Sequence, residues 1–143
     1  MKNQVPSLYK VLSIAGSDSG GGAGIQADIK TITALGGYAT TAITALTAQN
    51  TLGVHSVFEV PASFVSQQID TVMTDIGTDA VKSGMLLCKD IVDVVSLKIK
   101  EYHIKRVVVD PVMLSKNERR LLSTDAIHAL TAHLFPLSFI VTP

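Results

Sequence analysis

Tryptophan is absent, cysteine occurs once, and twelve basic residues cancel twelve acidic ones. The single cysteine, Cys88, excludes an internal disulfide and a cysteine-rich zinc site; it reads as a small buried hydrophobe in a reducing, cytoplasmic compartment. With no net charge and no Lys/Arg cluster interleaved with aromatics, a nucleic-acid groove has no electrostatic support. No apolar run approaches the roughly 18 residues of a membrane span. The apolar stretch 11–15 is too short for a signal-peptide core. Proline and glycine do not cluster into a linker, so the 143 residues read as one domain. Charge is sparse, 17% against 47% apolar, and the mean hydropathy of +0.37 points to strands buried on both faces.

What is present alternates between two periodicities. Residues 11–15 read as a short buried strand that ends in a glycine loop, after which Ile25, Ile29, Ile32 and Leu35 repeat at helical spacing. Gly36-Gly37 stops that helix. The run 38–48 reads as a strand, with a short strand at 57–60 after a turn near Gly53. Pro61 then opens a helix with Val65, Ile69, Val72, Met73 and Ile76 on one face. A strand at 80–86, a helix at 91–102, a strand at 106–110, a helix capped by Ser123 or Thr124, and a strand at 137–141 complete the chain. This pattern predicts an α/β fold, doubly wound, with a mainly parallel sheet and helices on both faces. In such sheets ligands sit beyond the carboxyl ends of the strands, where Asp18, Gln49, Gly84, Met85 and Asp110 fall.

The richest segment is Ala15-Gly16-Ser17-Asp18-Ser19-Gly20-Gly21-Gly22-Ala23-Gly24-Ile25-Gln26-Ala27-Asp28, a strand-to-helix connection with two carboxylates. Amides at the helix start could cradle an anion, or the segment could be a turn alone. Gly22-Ala23-Gly24-Ile25-Gln26-Ala27 satisfies the G-x-G-x-x-A dinucleotide pattern, but the next strand ends in Thr47-Ala48-Gln49-Asn50 without the ribose-binding acid of a nicotinamide-dependent enzyme. No Gly-Lys-Ser/Thr makes a P-loop, and no G-x-S-x-G makes a hydrolase elbow. The four histidines lack metal-ligand spacing and read as solvent-facing.

Asp18 and Asp28 each read as a cap or a ligand acceptor. Gln49 offers both hydrogen-bond polarities for a nitrogen ring or is a surface or turn glutamine, Met85 is a soft apolar wall or ordinary core packing, and Asp110 is a carboxylate that could orient a hydrated magnesium ion.

Five segments taken together, 15–28, Thr44-Ala45-Leu46-Thr47-Ala48-Gln49-Asn50-Thr51, Lys82-Ser83-Gly84-Met85-Leu86, Asp110-Pro111-Val112-Met113 and Val141-Thr142-Pro143, resemble the hydroxymethylpyrimidine/phosphomethylpyrimidine kinases of the ribokinase-like superfamily. The resemblance runs along essentially the whole chain. It implies ATP- and Mg2+-dependent phosphorylation of 4-amino-5-hydroxymethyl-2-methylpyrimidine and of its monophosphate, for thiamine biosynthesis. It also implies a pyrimidine pocket lined by Gly16, Ala23, Asp28, Gln49, Met85 and Val112. Family members are longer, carrying magnesium, phosphate and general-base elements after the Thr-Pro that ends this sequence. The expectation is therefore an N-terminal substrate-binding part, 1–143, incomplete for catalysis and self-associating, as a homodimer or through an exposed sheet edge. Lys116 precedes Asn117-Glu118, where the family usually has Ser-Gly. A pyridoxal or pyridoxine kinase of the same superfamily and a non-catalytic pyrimidine-binding module are the alternatives.

Overall fold

The computed structural model describes residues 8–113 and 122–142; the Lys116-Asn117-Glu118 departure and Pro143 lie outside them. A six-stranded sheet runs in the order β3-β2-β1-β4-β5-β6, with β1 at Lys10–Asp18, β2 at Tyr38–Asn50, β3 at Gly53–Glu59, β4 at Ala80–Ser83, β5 at Val107–Val109 and β6 at Ile140–Val141. All neighbours are parallel except β2 and β3, which form an antiparallel hairpin. The chain leaves β1 for β2 on one side and returns to β4 on the other, so the carboxyl end of β1 is a topological switch point.

The strand alternation assigns the two faces. Leu12, Ile14, Ala42, Val81, Val107 and Val109 are buried against helices α2 (Ala62–Asp75), α3 (Lys89–Glu101) and α4 (Thr124–Ala129) through Val65, Ile69, Ile91, Val95 and Ala126. The intervening residue Ser13 meets helix α1, Gly24–Ala34, on the opposite face. Helices thus cover both faces, as the βαβ pattern predicts. No helix among the described residues is long and apolar enough to cross a membrane.

Several boundaries differ from the sequence reading for identifiable reasons. Strand β4 stops at Ser83, because the chain turns through Leu87, which adopts φ 65°, into α3. The final strand shrinks to two residues: α4 continues as a π-helical turn, Leu130–Leu134, and a 3-10 turn, Phe135–Leu137, before the chain extends. Strand β3 is longer than expected, pairing back along the end of β2. Along α1 only Ile25 is buried, while Leu35 is 82% exposed. Leu35 is the C-cap. There the expected stop is a Schellman motif: the Gly37 amide donates to Ile32 O at 2.9 Å and the Gly36 amide to Thr33 O at 3.0 Å, with Gly36 at φ +78°.

Two side chains complete the backbone accounting. Beyond its pairing with β3, β2 has a free edge at Ile43, and the Gln68 carboxamide of α2 acts as a strand there. It accepts from Ile43 N at 2.9 Å and donates to Ile43 O at 3.0 Å. Cys88, expected to be a buried hydrophobe, is half-buried and donates its thiol to Glu59 Oε1 at 2.8 Å; burial and the neighbouring carboxylate push its pKa up. All four histidines are exposed, and His133 pairs with Asp93 at 2.7 Å.

Candidate functional site

At the switch point the carboxyl ends of β1, β2 and β4 and the segment after β5 enclose a cavity of about 490 Å3. Its first wall is the glycine loop, whose shape follows from one carboxylate. Asp18, 5% exposed, accepts from the amides of Gly20 at 2.7 Å, Gly22 at 2.9 Å and Ala23 at 2.8 Å. Three loop amides are therefore occupied by the chain itself, and Asp18 is the cap of the loop.

Gln26 clamps the start of α1 to the end of β1. Its Oε1 accepts from Asp18 N at 2.8 Å and its Nε2 donates to Ser17 Oγ at 2.7 Å. Gly24 makes the approach possible: it adopts φ +56°, and a Cβ there would lie 2.2 Å from Gly16 O. Ser19 ties the loop to the hairpin, donating to Gln49 O and accepting from Gln49 N, both at 2.8 Å. The loop, α1 and the hairpin are thus one braced unit around the cavity.

The remaining walls bring the expected residues together. Gly16, Ala23, Asp28, Gln49, Met85, Asp110 and Val112 all line this one cavity. The Met85 methyl lies over Gly16, where a Cβ would come within 2.5 Å of it, and Thr44 Oγ1 holds the Met85 carbonyl at 2.7 Å. Gln49 Oε1 accepts from Thr47 Oγ1 at 3.3 Å; among the described residues its amide nitrogen has no partner.

The floor is polar and includes two residues that the sequence reading missed. Lys82 Nζ lies 3.2 Å from Asp28 Oδ2 and 3.5 Å from Asp110 Oδ2, and Ser13 Oγ donates to Asp28 Oδ2 at 2.6 Å. Ser13 and Lys82 are cross-strand neighbours in the β1–β4 register, so both project to the α1 face where Asp28 sits. Lys82 is the only charged residue in the stretch 80–86, a signal in itself, since a lysine within a buried strand requires a partner. Two carboxylates and one ammonium leave the floor with a net negative charge. Among the described residues no three His, Cys, Asp or Glu side chains converge as a ready-made metal site.

Comparisons with known proteins agree with this arrangement. Residues 18–143 match the family model described as phosphomethylpyrimidine kinase. A hydroxymethylpyrimidine/phosphomethylpyrimidine kinase of Bacillus subtilis is 53% identical over 137 residues, 96% of this chain and 51% of that protein. The crystal structure of phosphomethylpyrimidine kinase from Clostridium difficile matches with a TM-score of 0.89 at 47% identity, covering 94% of this chain and 58% of that one. Pyridoxal kinase from Staphylococcus aureus, in complex with AMP-PCP and pyridoxal, matches with a TM-score of 0.82 at 36% identity, over 96% of this chain and 48% of that one. The chain spans about half the length of several of the curated relatives it matches.

Proposed function

Because the chain belongs to the phosphomethylpyrimidine kinase family, we propose that its cavity is the ring-binding site of a kinase. The enzyme moves the γ-phosphoryl group of ATP to the hydroxymethyl arm of 4-amino-5-hydroxymethyl-2-methylpyrimidine, and then a second phosphoryl group to the monophosphate, in cytoplasmic thiamine biosynthesis. The observation that supports this most is a single cavity with a carboxylate, an amide and apolar walls: Asp28, Gln49, Met85 and Val112. A flat, aminated nitrogen ring needs that combination. In this reading Asp28 accepts from the exocyclic amine and Gln49 pairs with the ring nitrogen system. Met85 and Val112 contact the ring faces, while the small Gly16 and Ala23 let the ring approach the backbone.

Phosphoryl transfer depends chiefly on positioning and on neutralising charge. Asp110 follows β5 at the cavity floor with its side chain 38% exposed. A carboxylate of that kind suits a hydrated Mg2+, which takes one or two carboxylates and shares substrate phosphates. Bound there, the ion would neutralise charge on the transferring group. The general base and the nucleotide contacts are assigned to no residue of this chain. We therefore read 1–143 as the N-terminal substrate-binding part of a ribokinase-like domain, self-associating, with phosphoryl transfer requiring the rest of such a domain.

The likeness to a pyridoxal-bound kinase makes pyridoxal the rival substrate. Isothermal titration with both rings, followed by an ADP-release assay with ATP and Mg2+, separates the readings. We expect binding of the aminopyrimidine, weaker binding of pyridoxal, and no ADP from this chain alone. Tighter binding of pyridoxal would transfer the assignment to that substrate; ADP formation would refute the need for further residues. Binding of neither ring would overturn the proposal.

A further inference from the structure

Lys82 has a seat built for it. Residues 82 and 84 share a face of the extended chain, and a Cβ on Gly84 would lie 3.1 Å from Lys82 Nζ and 3.0 Å from Ala15 Cβ. The missing side chain at Gly84 is what lets the ammonium fold back between the two carboxylates. On one side it meets Asp28 at 3.2 Å and on the other Asp110 at 3.5 Å. Only 25% of its side chain is exposed. An ammonium held by two anions in this way is tied to the protein.

The two donors to Asp28 arrive on the same oxygen. Ser13 Oγ, at 2.6 Å, and Lys82 Nζ, at 3.2 Å, both reach Oδ2, and among the described residues Oδ1 has no hydrogen-bond partner. Asp28 lines the cavity. One oxygen is thereby committed to the protein and the other is left to a ligand. An ionised carboxylate is an acceptor only, so its free oxygen favours a ligand N–H over a ring position bearing hydrogen.

We propose that Lys82 is a positioning residue that holds the Asp28 carboxylate with one oxygen turned to the ligand and so makes the cavity select rings carrying an exocyclic amine. The inference rests on the ring-binding reading above and deepens it: ring choice is set by a residue placed to hold Asp28. Losing a hydrogen bond to a charged group lowers affinity by about tenfold or more, which sets the expected scale of the preference.

The test uses the full chain and its Lys82→Met and Lys82→Arg variants. Each is titrated calorimetrically with 4-amino-5-hydroxymethyl-2-methylpyrimidine, with the same ring bearing hydrogen in place of the amine, and with pyridoxal. The unmodified chain is expected to prefer the amine-bearing ring over its hydrogen analogue by about tenfold or more. Lys82→Met should compress that ratio to within about threefold, well below the tenfold scale of a charged hydrogen bond, and Lys82→Arg should restore part of it. A purely structural lysine would weaken all three ligands together, so an unchanged ratio in folded Lys82→Met overturns the proposal, as does a preference of the unmodified chain for pyridoxal. A ligand-free arm separates this from failure of the functional reading. In a denaturation cycle of Lys82→Met with Asp28→Asn, the proposal requires non-additive effects. If no ring binds the unmodified chain, the functional reading fails, and additivity in the cycle then overturns the Lys82 assignment as well.

Discussion

Replacing Gly24 by alanine should disrupt the site more than its one added methyl group suggests, and Gly36 supplies a matched control. Both glycines have positive φ, +56° at Gly24 and +78° at Gly36, so alanine incurs a similar left-handed penalty of about 1–2 kcal/mol at each. That penalty is partly offset by about 0.4–1 kcal/mol from the stiffer unfolded chain. The surroundings differ: nothing lies within 4 Å of a Cβ on Gly36, whereas a Cβ on Gly24 would sit 2.2 Å from Gly16 O, a backbone atom that cannot rotate away. Forcing β1 and α1 apart adds about 1–3 kcal/mol. Gly36→Ala is therefore expected to cost about 0–1.6 kcal/mol and Gly24→Ala about 1–3 kcal/mol more than that. Urea denaturation followed by far-UV circular dichroism gives both values, and Gly24→Ala should also weaken ring binding, because Asp28 lies one turn along the displaced helix. Equal losses for the two variants would refute the close-approach argument.

Gln68→Leu removes the side chain that pairs both polar groups of Ile43; a loss of about 1–3 kcal/mol is expected, with greater aggregation as the β2 edge opens, and an unchanged denaturation midpoint would show that the pairing contributes nothing. Ser96→Ala should stabilise by about 0.5–1 kcal/mol, since the buried Ser96 hydroxyl in α3 has no partner among the described residues; a lower urea midpoint would contradict this. The Lys98 ammonium, 2.8 Å away, holds Asp70 below the usual carboxylate range, assisted by the Tyr102 hydroxyl at 2.7 Å. A depressed folded pKa means that the contribution is present above the unfolded value of about 3.9 and is lost as pH falls through the folded one. Asp70→Asn should therefore flatten the acid side of the stability profile, and an unaltered acid limb would count against the pairing.

The order of the elements and the presence of helices on both faces of the sheet follow from periodicity, because isoleucine and valine runs broken by helical spacing of three to four leave few alternatives. The position of the cavity followed as well, since the residues after each strand converge wherever a parallel sheet reverses its order. What periodicity could not show was how the polar atoms pair. Asp18 reads as a cap or a ligand acceptor until three loop amides are seen on its carboxylate. Lys82 and Ser13 look unrelated until the β1–β4 register sets them side by side under Asp28. The final strand was overestimated because hydrophobicity persists through residues that the turn at Pro136 removes from the sheet. Leu35 keeps the helical spacing of Ile25, Ile29 and Ile32 yet is exposed at the C-cap, because helical spacing carries no information about where a helix stops packing.

The most direct measurement is an amide chemical-shift titration of the 15N-labelled chain with 4-amino-5-hydroxymethyl-2-methylpyrimidine. The account predicts saturable shifts concentrated at Gly16, Ala23, Asp28, Gln49, Met85 and Val112, with the far ends of α2 and α3 unmoved. Shifts confined to another surface, or none at ligand concentrations that saturate a full-length relative, would contradict it.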